Sequence, residues 1–123
     1  MRVAGSQQIG ILSGQGTQKG VLQLLDNQST IKVGDILLAR GSVNNQPFVP
    51  GVPVGEVTSV DNAAGAVTQT ADVRFFASFS SIGVVSVVLA APDNDPRDSL
   101  IPPKPPPTPI PTVTVFIAPS PSL

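Results

Sequence analysis

The sequence predicts an all-β fold, a small antiparallel β-barrel of about six strands with a disordered proline-rich C-terminal tail. Three observations predict it. Short runs rich in Val, Ile and Leu recur through residues 1–91, each bounded by Gly, Asn, Asp or Pro. Glycine falls often enough there to break most windows long enough for a helix. Eleven of the 14 prolines lie in residues 92–123. The chain therefore divides into a β-barrel domain, 1–91, and a tail, 92–123. A domain of that length holds one core and no more.

Strands are expected near residues 2–4, 10–12, 20–25, 35–40, 55–60, 67–76 and 84–89. The longest alternates cleanly. Val67, Gln69, Ala71, Val73 and Phe75 share one face, and Thr68, Thr70, Asp72 and Arg74 the other, which suits a sheet with one dry and one wet side. Val84-Val85-Ser86-Val87-Val88-Leu89 lacks that alternation. Such a run belongs where both faces are covered; left uncovered, it is an aggregation hazard.

The connections follow from turn chemistry. Ser13-Gly14-Gln15-Gly16-Thr17-Gln18-Lys19-Gly20 holds three glycines and reads as a hairpin loop with positive-φ positions. A polar link follows from Asn27 and ends in the turn Val33-Gly34-Asp35. Pro50-Gly51 is the favoured centre of a type II turn, proline fixing φ and glycine taking the left-handed position. From Pro47 to Pro53 the chain should run as a stiff, extended crossing. Asp61-Asn62-Ala63-Ala64-Gly65 reads as a further hairpin turn. Beyond Pro92, the run from Pro102 to Pro111 forms neither helix nor ladder and favours polyproline II, as a solvated tail or as a docking ligand.

Composition excludes several functions. With no Cys there is no disulfide, thiol nucleophile or thiolate metal site, and with no His the common proton-shuttling machines are missing. Residues 1–91 carry five charges of each sign, single and scattered, so a phosphate-tracking surface is absent and nucleic acid is not an expected partner. No cofactor and no metal are expected. No apolar run reaches the roughly 18–20 residues that span a bilayer, and the first residues do not read as a signal peptide.

Three local patterns touch on chemistry. Ser29-Thr30-Ile31-Lys32 matches S-x-x-K, the nucleophile motif of penicillin-binding enzymes, but it sits in a link with no helix pattern and no K-T-G partner. Asp93-Asn94-Asp95 resembles the opening of a calcium loop without its glycine or closing glutamate. Asn27-Gln28-Ser29 fits a glycosylation triplet. Asp26 and Asp61 read as aspartates capping their own turns. Of the five aromatics, Phe75 is assigned to the core, while Phe76 and Phe79 form a candidate protein-contact patch.

Residues 31–57 carry a longer pattern. Lys32-Val33-Gly34-Asp35-Ile36-Leu37, Arg40-Gly41-Ser42 and Phe48-Val49-Pro50-Gly51-Val52-Pro53-Val54-Gly55-Glu56-Val57 resemble the extracytoplasmic β-domain of the rod shape-determining protein MreC family. Thr70-Ala71-Asp72-Val73-Arg74-Phe75 and Phe79-Ser80-Ser81-Ile82-Gly83-Val84-Val85 are similar to the family's next two strands. Asp95-Pro96-Arg97-Asp98 and the proline-rich end are similar to members of high-GC Gram-positive type.

The resemblance implies a non-enzymatic scaffold of the cell-wall elongation machinery at the extracytoplasmic face of the bacterial membrane. Its implied partners are the class B penicillin-binding transpeptidase and MreD, with self-association of the β-domains, and its membrane attachment is a helix not found in this chain. Pro50, Gly51, Pro53 and Gly55 carry over as structural turn positions only. The rival expectations are a Ser-Lys hydrolase using Ser29 and Lys32, and a small-ligand or wall-binding barrel, which the lack of Trp and Tyr disfavours.

Overall fold

Six strands pair in one antiparallel sheet, as expected from the run of short β-branched segments. The structure, a computed structural model, describes residues 1–26, 28, 30–45, 48–63, 65–101 and 103–106. The strands are β1 (Arg2–Val3), β2 (Gly10–Gly14), β3 (Lys19–Leu24), β4 (Ile36–Leu38), β5 (Pro53–Asp61) and β6 (Thr70–Phe75). One short 3-10 turn, Val43–Asn45, joins β4 to β5. The spatial order is β1-β4-β5-β6-β3-β2.

The two edge strands meet. Arg2 bridges Ile9, the Met1 nitrogen donates to the Gly10 carbonyl at 2.8 Å, and the Gly10 N–H returns a bond to Met1 at 3.0 Å. Burial, then the nearby charge of Arg40, lowers the pKa of the Met1 ammonium below its ordinary value. The sheet thus curls until its edges touch at one end, and the remainder of β2 has no neighbouring strand on that side among the described residues.

Alternation fills the interior. On β3, Gly20, Leu22 and Leu24 point inward, and across from them on β6 stand Val73 and Ala71. With Val3, Ile31, Leu37 and Val57 these leucines, the valine and the alanine make one core cluster, against which Met1, Leu12 and Val60 pack. A bulge on β5 sets two residues, Thr58 and Ser59, against Asp72, so both Val57 and Val60 reach the interior although they stand three apart. A second irregularity, between Leu37 and Leu38 on β4, leaves both leucines buried in succession.

Two strand expectations need correction. β6 begins at Thr70, because its pairing with β5 ends at Asp61; Val67 lies in the loop before it and is 82% exposed. Residues 84–89 form no strand, since no neighbouring strand is there to pair with them. The expected hairpin loops do form, but of the three glycines from 14 to 20 only Gly16 has positive φ, at +134°. Gly14 and Gly20 face each other inside the β2–β3 ladder. Phe75 is half-buried rather than fully enclosed.

The root of the tail lies against the barrel. Asp98 takes an N–H bond from Gly5 at 2.8 Å and one from Arg2 Nη1 at 3.0 Å, and Pro96 packs on Gly51. Of the segments for which expectations were given, Pro47, Pro102 and residues 107–123 of the tail lie outside the described residues.

Candidate functional site

β6 ends in aromatic residues, and they build the most distinctive surface of the barrel. The Phe75 ring closes over Gly20, where a Cβ would come within 2.8 Å of Phe75 Cζ. Gly20 therefore makes room for the ring. Phe79 meets Phe75 edge-on, with centroids 5.7 Å apart and an interplanar angle of 76°, a favoured aromatic geometry. The Phe76 N–H donates to the Val54 carbonyl at 3.0 Å, so Phe76 continues the β5–β6 ladder and, by parity, faces away from Phe75. Phe76 stays 47% exposed and Phe79 53%. Ser78 anchors the loop between them and residue 84, sharing hydroxyl bonds with Ser80 and Ser81.

The apolar surface continues along the chain. Ile82, Val84, Val85, Val87, Val88 and Leu89 are all exposed, and no charged residue falls from Phe75 to Pro92. The free side of β2 presents main-chain groups. In the β2–β3 hairpin, Gln15 donates to Lys19 and Leu25 donates to Ile9, so odd-numbered residues of β2 bond β3 and even-numbered ones point away. Gly10 spends its outward groups on Met1; Leu12 and Gly14 face no strand among the described residues. The aromatic end, the uncharged segment and the bare edge together present apolar side chains and main-chain groups, without a charged side chain among them.

Four of the charged groups, Lys19, Glu56, Asp72 and Arg74, lie on the outer face of β3, β5 and β6. Arg74 pairs with Glu56, and Ser59 donates to Asp72 at 2.8 Å. Arg74, Asp72 and Lys19 line a recess of both signs, about 420 Å³ in volume, together with Val21 and Thr58. Among the described residues no group of three or more Asp or Glu side chains is placed to hold a metal ion. No described helix is long and apolar enough to cross a membrane.

Each remaining sequence candidate has a place. Lys32 is exposed in a β-turn, not on a helix: its N–H donates to Asp35 Oδ2 at 2.8 Å, and Asp35 N–H bonds back to its carbonyl at 3.1 Å. Ser29, its would-be nucleophile, lies outside the described residues, as does Asn27 of the glycosylation triplet. Asp26 Oδ1 accepts from the Gln28 N–H, the capping role expected of it, and Asp95 does the same for Arg97. Asp61 instead ends β5. Gly51 has φ +81° and donates its N–H to Ala39; Pro50 adjoins it in the turn. Pro53 opens β5 opposite Leu38, and Gly55 lies so close to the Arg74 carbonyl that a Cβ there would collide with it. The Arg2–Asp98 contact was not foreseen from the sequence, because nothing in either residue's surroundings marks a partner 96 positions away.

The family model described as rod shape-determining protein MreC, barrel core, matches residues 1–89. No match is found among curated proteins, and none among solved structures. The match runs through the aromatic end and the whole exposed segment, and it stops where the proline-rich composition begins. By this match, and with six antiparallel strands curled about one core, the chain belongs to the rod shape-determining protein MreC family, whose role is that of a structural scaffold in setting cell shape.

Proposed function

We propose that this barrel is a non-enzymatic scaffold module that holds peptidoglycan-synthesis proteins outside the cytoplasmic membrane, the class B penicillin-binding transpeptidase and MreD being the partners. One observation carries the reading: an uncharged, largely exposed apolar surface from Phe76 to Leu89 on the barrel core of a shape-determining family. Contiguous apolar surface of this kind is rare unless something is bound to it. The chain's lack of His and Cys and the exposed, helix-free setting of Lys32 favour binding over catalysis.

The test is crosslinking of the membrane-anchored parent protein in cells, with identification of the captured neighbours. Capture of the transpeptidase or of MreD is expected, and its reduction by Phe76→Ser with Phe79→Ser while the melting temperature of the barrel holds. Undiminished capture by that double variant would remove the aromatic end from the contact. Acylation by a β-lactam probe that is lost in Ser29→Ala would replace the scaffold reading with the hydrolase.

A further inference from the structure

The bare edge of β2 and the fixed root of the tail lie at one seam of the barrel. Asp98 is bonded to Arg2 and Gly5, and Arg2 bridges Ile9, so the tail leaves the barrel beside the start of β2. From there on, the main-chain groups of Leu12 and Gly14 face no strand among the described residues. The side chains of this edge are open as well. Leu12 is only half-buried, Ile11 is 56% exposed, and a Cβ at Gly14 would meet nothing within 4 Å. Neither a charge nor a proline guards the edge from Gly10 to Gly14, and proteins ordinarily cover an edge of that kind. Beyond the described residues, Thr112-Val113-Thr114-Val115-Phe116-Ile117 is an uncharged run rich in β-branched residues, with Val113, Val115 and Ile117 sharing one face.

We infer that residues 112–117 of the tail are a seventh strand, added antiparallel to the free side of β2 in the same molecule. Direction follows from the linker. The run from Pro102 to Pro111 favours polyproline II, about 31 Å when extended, whereas Gly10 to Gly14 spans about 14 Å. The linker therefore carries the chain past the far end of β2, and the strand returns toward Gly10. A parallel strand would have to begin beside the tail's own root, which a stiff linker of that length prevents. Parity and the two ends select the register. The apolar face joins Leu12 on the inner side, so Val115 stands opposite Leu12 and Val113 opposite Gly14, in the space left open there. Thr114 then faces Ser13, and Phe116 covers Ile11. Pro111 falls opposite Gly16 with no N–H to give, and Gly16, at φ +134°, has already left the strand. Ile117 reaches Gly10, whose outward groups are spent on Met1. Pairing stops at both ends, and the N–H and C=O groups of Leu12 and Gly14 gain partners. Because the strand is tethered, a foreign strand that binds this edge must first displace it.

The chain has no cysteine, so paired thiols report the contact directly. In this register Ser13 and Thr114 form a non-hydrogen-bonded pair with Cα atoms about 4.5 Å apart, within disulfide range. Under mild oxidation of the dilute full chain, Ser13→Cys with Thr114→Cys should close an intrachain bridge far faster than Ser13→Cys with Ser120→Cys. Hydrogen exchange supplies a second readout. The Leu12 and Gly14 amides of the unsubstituted chain should exchange slowly, and Val115→Pro should quicken both several-fold. The Leu22 amide, in β3 between β2 and β6, should keep its rate, which separates loss of the added strand from loss of the barrel. Equal bridging at 114 and 120 overturns the inference, as does a bridge formed between chains. Fast exchange at Leu12 and Gly14 in the unsubstituted chain means a bare edge, and protection that survives Val115→Pro means another occupant; either result overturns it too.

Discussion

Gly51 shows how two separate constraints can meet at one residue. Its φ of +81° lies where a side chain is strained, and Pro96 occupies the space a Cβ would need. The first constraint was legible in the Pro50-Gly51 pair; the second was not, because it comes from a residue 45 positions on, in a stretch whose composition reads as tail. Gly51→Val should cost about 1–2 kcal/mol from backbone strain alone, and more once Pro96 is displaced. Thermal melts of Gly51→Ala, Pro96→Ala and the pair separate the two. Pro96→Ala should relieve the steric part of the loss and leave the strain, a coupling that distant sites do not show. Asp98 fixes the same segment from its other end, with Arg2 Nη2 buried nearby and unpartnered among the described residues. Asp98→Ala leaves the Arg2 guanidinium, only 13% exposed, without its counter-ion. It should lower stability by about 1–2 kcal/mol, less at high salt because Asp98 itself is 41% exposed. Hydrogen exchange at the Gly5 amide, which donates to Asp98, should quicken at the same time.

At the level of elements, the contrast between β6 and residues 84–89 separates propensity from structure. Residues 84–89 are the richer of the two in β-branched residues, but Val73 and Ala71 have β3 on one side and β5 on the other, and Val85 and Val87 have neither. A strand is a property of a pair, so local composition located six strands and overcounted by one. The same limit applies to the β2–β3 hairpin. Glycine frequency marked the turn, but it did not distinguish Gly16, needed for its φ, from Gly20, needed for the Phe75 ring. Gly14 and Gly20 stand opposite each other, and a Cβ at Gly14 meets nothing within 4 Å. Gly14→Ala should therefore change stability by no more than about 0.5 kcal/mol. Gly20→Ala must push against Phe75 and the Ser13 carbonyl and should cost about 1–3 kcal/mol. Because Phe79 rests on Phe75, Gly20→Ala should also weaken any contact made through the aromatic end. Paired melts and partner titrations of the two variants check both statements.

For the molecule as a whole, the balance of charge against apolar surface decides how it binds. The five positive and five negative groups of residues 1–91 are dispersed, and Arg74 with Glu56 and Asp72 with Ser59 are satisfied within the sheet. The surface from Phe76 to Leu89 carries none of them. Long-range steering is then negligible, and screening has little to remove. Association with the transpeptidase should therefore change little between low and moderate salt, and its heat-capacity change should be negative, the mark of apolar burial. Calorimetric titration at several salt concentrations measures both. Affinity that collapses with added salt would mean that the charged recess around Lys19, Asp72 and Arg74 makes the contact, and the aromatic end would lose its assignment. The spacing of residues 31–57 made the family legible. Phe76 and Phe79 were legible as a candidate patch; the edge-on seating of Phe79 on Phe75 and the unpaired state of residues 84–89 were not, because both arise only when the sheet closes.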